Sequence, residues 1–294
     1  MIHCPTCSAG LRFDIASQAM TCDHCGNDFE VEKLADSTSN DADSEASYDV
    51  YVYVCPDCGG ELAVDTKNDA IGFCPYCGGA SMLYDRIRKE WKPDTIIPFK
   101  ITREQCKENY LRKVKKNPFI SSQYRNPELI ESFRGIYLPY WYFEGRQDGQ
   151  YCLHETTTGK TSKEVTTTVF EKNYQVAYTL SGISFDASIG FDDHISEQLQ
   201  PFDTDGQKAF HPGYLSGFYA EIGDADKKEY EAYACEQFQD YTRNLIIESE
   251  GSEAKNLIIP TRVQSVSHAL HPVWFMSYRR KNELIYAAVN GQTG

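Results

Sequence analysis

The sequence contains no run of 18 consecutive apolar residues, and its first residues lack the basic start and apolar stretch of a secretory leader. A helix that crosses a bilayer needs about 20 predominantly apolar residues, so we expect no membrane span in this chain. The missing leader favours a cytoplasmic, reducing location, in which cysteines remain thiols.

Complete catalytic motifs are also lacking. Gly159-Lys160-Thr161 resembles the end of a phosphate-binding loop, but His154 stands where that loop requires its first glycine. The string that begins at His154 also fails as a zinc-protease motif, because Thr158 replaces the second histidine. Cys152 and His154 could form a nucleophile–base pair on one strand face, but the preferred interpretation is structural. The sequence therefore predicts a protein that is not an enzyme.

Cysteine is plentiful: eight of the eleven cysteines form four Cys-x-x-Cys pairs, which group two by two. This is the ligand spacing of tandem zinc ribbons, whereas a redox Cys-x-x-Cys motif normally occurs once. We predict two Zn²⁺ ions per chain, bound by Cys4, Cys7, Cys22 and Cys25 and by Cys55, Cys58, Cys74 and Cys77.

Other residues near the pairs fit this prediction. Gly26, Gly59 and Gly78 each follow a pair, where the backbone must turn so that its N–H groups point at sulfur. Both predicted sites already have four cysteines, so His3 and His24 are expected to be ordinary surface residues. The three remaining cysteines are expected to be buried as small hydrophobic residues: Cys106, Cys152 and Cys235.

Metal binding would supply the stability that so short a segment cannot obtain from apolar burial. Four thiolates on one Zn²⁺ contribute an apparent ~10–16 kcal/mol. We therefore expect that replacing Cys55 unfolds the second ribbon but leaves residues 126–294 folded.

The charge of −14 is unevenly distributed. Residues 1–34 carry two basic and five acidic residues, and residues 48–85 carry one and six. A zinc ribbon that grips a phosphate backbone needs the opposite sign. The acidic ribbons therefore argue against nucleic acid and for docking to protein partners.

Residues 86–125 reverse this balance, with twelve basic and four acidic residues, including Arg112, Lys113, Lys115 and Lys116. Three interpretations remain open, in order of preference. The charges form a solvated helix face, they pair with the acidic ribbons, or they contact an anionic surface such as lipid head groups or nucleic acid.

The pattern predicts an α+β fold: two tandem zinc ribbons followed by a β-rich antiparallel domain with a few helices. Thr102 and Gln105 have the form of a capping box that begins a helix. A later helix, about 225–248, is predicted to bury a stripe of aromatic and aliphatic residues: Tyr230, Tyr233, Phe238, Tyr241 and Leu245. Five runs rich in aromatic and β-branched residues between 136 and 189 predict an antiparallel meander.

The predicted segments are zinc ribbon 1 (1–34), an acidic flexible linker (35–47), zinc ribbon 2 (48–85), a basic connector with a helix (86–125) and the β-rich domain (126–294). Its small, polar composition identifies the linker, and the cysteine spacing identifies the two ribbons.

Several strings together resemble the bacterial TFIIB-type zinc-ribbon proteins, some of which carry a primosomal-helicase label. They are the two ribbons, Tyr137-Leu138-Pro139-Tyr140-Trp141, the stretch His211 to Glu221, Pro272-Val273-Trp274, and the closing Val289 to Gly294. The resemblance implies a chain that continues into a membrane-spanning helix, with this part in the cytoplasm, and partners among membrane-stress proteins. The helicase label gains no support, since no motor motif is present.

The sequence therefore predicts a non-enzymatic zinc-ribbon adaptor or scaffold that binds protein partners at the cytoplasmic face of a membrane. The alternative is a nucleic-acid-binding protein that uses residues 86–125 for phosphate contacts.

Overall fold

The computed structural model describes residues 2–35, 47–64, 70–71, 74–79, 82–117, 120, 122–160, 164–250, 258–280 and 283–294. Most of the predicted linker 35–47 lies outside these residues. The helices are α1 (Val31–Ala35), α2 (Arg103–Lys116), α3 (Pro127–Ile130), α4 (Asp193–Gln198) and α5 (Lys227–Glu250). Short 3₁₀ turns occur at Ser122–Arg125, Thr204–Gly206 and Pro212–Leu215. The fold is mixed α+β, with more strand than helix among the described residues.

Fourteen strands accompany these helices in the described part of the chain. The first seven are β1 (Arg12–Asp14), β2 (Ala19–Thr21), β3 (Asp28–Phe29), β4 (Ser47–Val54), β5 (Glu61–Val64), β6 (Ala70–Ile71) and β7 (Met82–Trp91). The others are β8 (Thr95–Ile96), β9 (Arg134–Lys160), β10 (Val165–Asp186), β11 (Lys208–Ala209), β12 (Tyr219–Ala220), β13 (Thr261–Arg280) and β14 (Glu283–Asn290).

The chain forms two compact units, each assembled from separate segments. Unit 1 combines Met1–Tyr140, Asp186–Ala225 and His268–Gly294, and unit 2 combines Trp141–Phe185 and Asp226–Ser267. Residues 126–294, expected to form one domain, thus contribute to both units. The β9 and β13 strands each pass from one unit into the other.

Two sheets organise the strands. The strands β1, β2 and β3 form a small antiparallel sheet in the first cysteine-rich segment. The larger sheet has the order β11-β8-β13-β9-β12-β5-β4-β7-β6, with β10 added beside β9 and β14 beside β13. The β12–β9 and β13–β8 pairs are parallel. The expectation of an antiparallel domain over residues 126–294 is therefore wrong at the β12–β9 pair, because the two-residue strand β12 joins the sheet after a long excursion and not through a hairpin.

The five runs predicted as a meander form two long strands, β9 and β10. The ring centroids of Tyr151 and Tyr174 are 5.0 Å apart, and His154 Nδ1 lies 3.9 Å from Glu171 Oε1. One register therefore runs along the two strands. A Cβ at Gly145, within β9, would lie 2.5 Å from the Phe238 ring. The glycine therefore permits close approach of helix α5, not a turn.

The second cysteine-rich segment is part of the larger sheet. Its strand β5 pairs with β12, with Ala63 opposite Ala220. The Ser277 hydroxyl donates to the Cys74 carbonyl at 2.7 Å, and Tyr219 packs against the segment's buried cluster. The segment is thus not a module attached by one strand end.

Aromatic side chains fill the centre of unit 1. Phe99 stacks on Phe218 at 4.5 Å and lies 5.0 Å from the Trp274 ring and 5.1 Å from the Tyr137 ring. Gly135 allows this packing, since a Cβ there would lie 2.4 Å from Phe218. These rings come from four separate stretches of sequence and join the segments of the unit.

Helix α2 begins as predicted. The Thr102 side chain accepts from the Gln105 N–H, and the Gln105 side chain accepts from the Thr102 N–H, which is a complete capping box. Cys106, Tyr110 and Val114 form its buried face.

Helix α5 of unit 2 buries only part of the predicted stripe: Phe238 is buried and Tyr230 packs against the same cluster. Tyr233, Tyr241 and Leu245 are exposed, whereas Ala234, Phe238, Thr242 and Ile246 are buried. The Thr242 hydroxyl donates to Gln147 Oε1 at 2.6 Å, so a polar residue occupies the core-facing stripe. The prediction is wrong for Tyr233, Tyr241 and Leu245 because it counted only apolar positions, and Thr242 is buried through a hydrogen bond.

Candidate metal centres

The four Cys-x-x-Cys turns share one backbone geometry. The first cysteine of each turn donates its N–H to the carbonyl five residues later and accepts from the N–H four residues later. The fourth residue after the first cysteine has a positive φ in every case: Ser8 at 61°, Gly26 at 73°, Gly59 at 78° and Gly78 at 68°. Three of these positions are glycine, which adopts this conformation at least cost. The prediction from the glycines missed Ser8, which adopts the same turn.

These turns bring together the cysteines that the sequence pairs. Within each group of four, the sulfur atoms all lie within 4.8 Å of one another: Cys4, Cys7, Cys22 and Cys25 in site 1, and Cys55, Cys58, Cys74 and Cys77 in site 2. Among the described residues, these two groups are the ones whose ligand atoms lie close enough together to hold a metal ion.

The sulfur separations fit a metal better than a disulfide. Cys4 Sγ and Cys25 Sγ are 3.6 Å apart, and Cys7 Sγ and Cys22 Sγ are 3.5 Å apart. In site 2 the corresponding distances are 3.6 Å for Cys55 and Cys77 and 3.7 Å for Cys58 and Cys74. A tetrahedron with Zn–S bonds of about 2.3 Å has sulfur edges of about 3.8 Å, whereas a disulfide bond measures about 2.05 Å.

Backbone N–H groups favour the thiolate form in site 1. Although burial raises the pKa of Cys4, the N–H groups of Cys7 and Thr6 lower it to about 6. At Cys7 the Ala9 N–H lowers the pKa, but burial and the neighbouring thiols raise it to about 12. Four close sulfurs therefore hold protons unequally, and a cation that stabilises all four as thiolates fits this donor set.

Both sites have the chemistry of structural metal centres. Four cysteines leave no coordination position for water or substrate, which distinguishes such sites from catalytic zinc sites. A bound metal would supply cross-linking and charge compensation, and the eight cysteines would hold it.

The segment that carries site 1 contacts a distant part of unit 1, near residue 215. Phe13 of β1 packs edge-to-face on Tyr214 at 5.1 Å. The Ser216 hydroxyl donates to the Leu11 carbonyl at 2.7 Å, and the Tyr214 hydroxyl donates to Glu32 at 2.9 Å. The stretch His211 to Glu221 therefore contains the contacts that dock the first cysteine-rich segment.

Site 2 adjoins a buried acidic group that sequence reasoning missed. The Tyr76 hydroxyl, between the ligands Cys74 and Cys77, contacts both the Glu61 carbonyl oxygen and Glu221 Oε2. A phenol has one proton, and a carbonyl oxygen can only accept. Both bonds therefore form when Tyr76 donates to the Glu61 carbonyl and a protonated Glu221 donates to the Tyr76 hydroxyl oxygen. Burial, the largest effect, raises the pKa of Glu221 to about 8, which agrees with a protonated carboxyl.

Further polar residues surround Glu221. The Ser188 hydroxyl donates to Glu221 Oε1 at 3.0 Å, and the Ser188 N–H donates to Asp186 at 2.8 Å. Burial also raises the pKa of Asp186 to about 7. A carboxylate within the apolar stretch Gly217 to Ile222 was the feature that could have indicated this group.

The basic segment 86–125 divides into two parts. Arg86 Nη2 lies 2.8 Å and Arg88 Nη1 3.6 Å from Glu61, so its beginning pairs with the second cysteine-rich segment. At the end of α2, Arg112, Lys113, Lys115 and Lys116 are exposed and form no ion pair with any described residue. Ribbon pairing thus holds only for the first part.

The cysteines outside the two sites differ in burial. Cys106 is buried, and burial raises the pKa of its thiol to about 12. Cys235 is half-buried and Cys152 is exposed, so the expectation of burial is wrong for Cys152. Its neighbour Tyr151 packs against the cluster that contains Ile246 of α5, so Cys152 points to the opposite face of β9. His3 and His24 are exposed, as expected.

None of the helices in the described part of the chain combines the length and apolar character that crossing a bilayer would require.

Comparisons with known proteins show a similarity over almost the whole chain. No family model matches the sequence, and no solved structure matches it. The chain is 27% identical over 301 residues to the uncharacterized protein YdjG of Bacillus subtilis (strain 168), covering 99% of this chain and 87% of YdjG. The similarity therefore extends well beyond the two cysteine-rich segments.

Proposed function

We propose that this protein is a non-enzymatic zinc-ribbon adaptor or scaffold of the bacterial TFIIB-type kind, which binds partner proteins at the cytoplasmic face of a membrane. In this proposal Zn²⁺ occupies both four-cysteine sites. The metals hold surfaces in place and take no part in a reaction.

The observation that carries the proposal is that each site offers four cysteine sulfurs, which leave no coordination position open. Each site has four sulfurs at tetrahedral separations and no free coordination position. Long-range bonds then connect both sites to unit 1, such as Ser216 to Leu11 and Ser277 to Cys74. A metal in either site would stabilise a large folded surface, which is what a scaffold requires.

Surface charge supports protein partners. The metal-binding turns at Pro5-Thr6, Asp23-His24 and Pro56-Asp57 are exposed. Each zinc with four thiolates would add about two negative charges to already acidic segments. Such surfaces repel phosphate backbones and suit basic patches on proteins.

The exposed basic residues at the end of α2 support the membrane part of the proposal. Each basic residue close to an anionic lipid surface contributes about 1 kcal/mol. The same residues favour the second candidate function, nucleic-acid binding through this segment.

In-cell cross-linking followed by mass spectrometry would test the adaptor function. The variant Asp23→Lys with Glu30→Lys reverses two exposed charges of the first segment, and Glu236→Lys with Asp240→Lys is the matched control on α5. We expect the first variant to lose proteins that the wild type and the control retain. If both double variants keep the wild-type set, the acidic ribbon surface is not a docking surface.

Electrophoretic mobility shifts at two salt concentrations would separate the second candidate. Phosphate contacts release counterions, so binding through Arg112, Lys113, Lys115 and Lys116 should weaken steeply with salt. Tight, salt-dependent DNA or RNA binding that disappears when these residues are reversed would replace the adaptor proposal.

A further inference from the structure

A cleft of about 270 Å³ lies in unit 1 between α2, α4 and β14. We refer to it as the β14 cleft. Asn109 and Lys113 line it from α2, Ile195 and Gln198 from α4, and Tyr286–Val289 from β14. Neither cysteine site contributes to it.

The two helices lie on opposite faces of β14. Val289 belongs to the core cluster that contains Tyr110 and Val114 of α2, and the partly buried Ala287 packs against that cluster. The neighbouring Asn290 points the other way, and its side chain donates to the Leu199 carbonyl at 2.9 Å, at the end of α4. Side chains alternate between the faces of a strand, so odd-numbered residues face α2 and even-numbered residues face α4.

Because four consecutive residues of β14 line the cleft, the cleft follows the edge of the strand and not one face. Among the described residues, β14 pairs only with β13, from Val273 opposite Asn290 to Arg280 opposite Glu283. Its other edge offers backbone donors and acceptors along about 14 Å. An exposed edge of this kind is a template for a further strand.

The rim of the cleft is basic on the α2 side. Lys113 lines the cleft and forms no ion pair with any described residue, and Arg112 and Lys116 are exposed nearby. On the α4 side, Ile195 and Gln198 offer an apolar and an uncharged contact. Lys113 is the one charged residue in the lining, and the exposed Asp193 and Glu197 of α4 lie outside it. A strand in the cleft would therefore meet positive charge on the α2 side and uncharged lining residues on the α4 side.

The geometry points to a peptide-docking site in which an extended, acidic segment of a partner protein pairs with the free edge of β14. Its alternate residues are acidic toward Lys113 and small or apolar toward Ile195, because the period of a strand is two. Main-chain hydrogen bonds supply affinity, and the side-chain pattern supplies specificity. This inference rests on the proposed adaptor function, for which it names a docking site and the chemistry of the partner.

A random-peptide phage library provides the probe. It would be panned on the purified, zinc-loaded protein, and the enriched peptides would be synthesised and their affinities measured by fluorescence anisotropy. Gln198→Trp narrows the cleft from an exposed position, and Glu197→Trp is its control on the same helix outside the lining. Lys113→Glu reverses the rim charge, and Lys115→Glu controls for net charge. Matching thermal melts would show that all four variants fold.

We expect enriched peptides to alternate acidic and apolar residues. Gln198→Trp and Lys113→Glu should each weaken binding at least about tenfold, a loss of about 1.4 kcal/mol, whereas the two controls should not. Bound peptide should also slow amide exchange at Tyr286–Val289.

Several results would overturn the inference. They are no enrichment at all, enriched peptides that bind Gln198→Trp as well as the wild type, or enriched sequences with basic residues or helical spacing. Sedimentation with phosphatidylglycerol vesicles that requires both Lys113 and Gln198 would assign the cleft to lipid and equally reject a peptide site.

The failure of this inference can be told apart from failure of the adaptor function. If Gln198→Trp keeps every cross-linked partner in cells, the cleft is not the docking site but the adaptor proposal stands. If the wild type has no specific partners, the adaptor proposal fails whatever the library yields.

Discussion

At the scale of single residues, the eight ligand cysteines have different surroundings despite their common turn geometry. Cys22 is buried within the cluster around Phe13 and Met20, whereas Cys58 is exposed. A metal at either site must hold all four sulfurs as thiolates, including those that, like Cys7, would otherwise carry a proton. The exposed position of one ligand does not make it dispensable, because a tetrahedral structural site requires all four.

Replacing Cys22 with serine should remove the metal from site 1 alone. Metal analysis by mass spectrometry is expected to fall from about two zinc ions per chain to about one, with a lower melting temperature. Cys152→Ser, at an exposed cysteine outside both sites, is the control and should retain the wild-type zinc content. Two zinc ions in the Cys22 variant would contradict the assignment of site 1.

Gly59→Ala should destabilise the protein without any steric clash. No atom lies within 4 Å of a Cβ at this position, but φ is +78°. An L-residue in this conformation costs about 1–2 kcal/mol, measurable by urea unfolding. Gly159→Ala, where φ is not positive, is the control. Equal stabilities of the two variants would show that the turn does not require its left-handed residue.

Glu221 should make stability depend on pH. Its pKa rises on folding from an ordinary value near 4.5 to about 8, chiefly through burial, with Asp186 and Asp224 adding to the effect. A raised pKa favours the folded state below the ordinary value, and this contribution is lost as the pH rises through about 8.

The wild type should therefore lose about 2–3 kcal/mol between about pH 6 and about pH 9 through this group, and Glu221→Gln should lose less. Thermal melts with saturating zinc would measure both proteins. A pH dependence as steep in Glu221→Gln as in the wild type would show that Glu221 is ionised in the folded protein.

At the scale of elements, α2 has its beginning fixed by local chemistry. Thr102→Ala removes one half of the capping box and should cost about 1 kcal/mol, seen as a lower urea midpoint. Thr156→Ala, on an exposed part of β9, is the matched control and should change stability little. A Thr102 variant as stable as the control would mean that tertiary packing alone sets the start of the helix.

What the sequence could predict depended on whether a feature is made by residues close together in the chain or by residues from distant segments. The cysteine spacing identified both sulfur clusters, and the capping box identified α2, because these depend on residues close together in the chain. The stripe of α5 and the continuity of β9 depend on Gln147 and Phe238, which approach from distant segments. The Tyr76–Glu221 contact joins residues 145 positions apart, so no local pattern could reveal it.

At the scale of the whole molecule, the second cysteine-rich segment is part of a sheet that extends into the rest of unit 1. The expectation that loss of Cys55 would unfold this segment alone therefore needs revision. Unit 2 has its own buried cluster around Phe143, Ala234 and Phe238.

Removing zinc with a strong chelator should loosen unit 1 well beyond the cysteines. Hydrogen exchange is expected to accelerate at β12 and at Ser216, which contact the two cysteine-rich segments. Phe238 and its neighbours in α5 should remain protected. Acceleration confined to residues 2–35 and 47–91 would restore the earlier picture of independent ribbons.

The pairing of Leu11 with Ser216, 205 positions apart, has a consequence during protein synthesis. A ribosome adds about 5–20 residues per second, so the first cysteines leave it about 10–40 s before their docking surface exists. Under the proposed function, zinc can order the nascent segment before that surface exists, and its supply then sets how long the thiols stand unprotected. In ribosome-bound chains halted near residue 100, we expect the four cysteines of site 1 to resist alkylation when zinc is present. The same four cysteines should be fully alkylated when zinc is chelated.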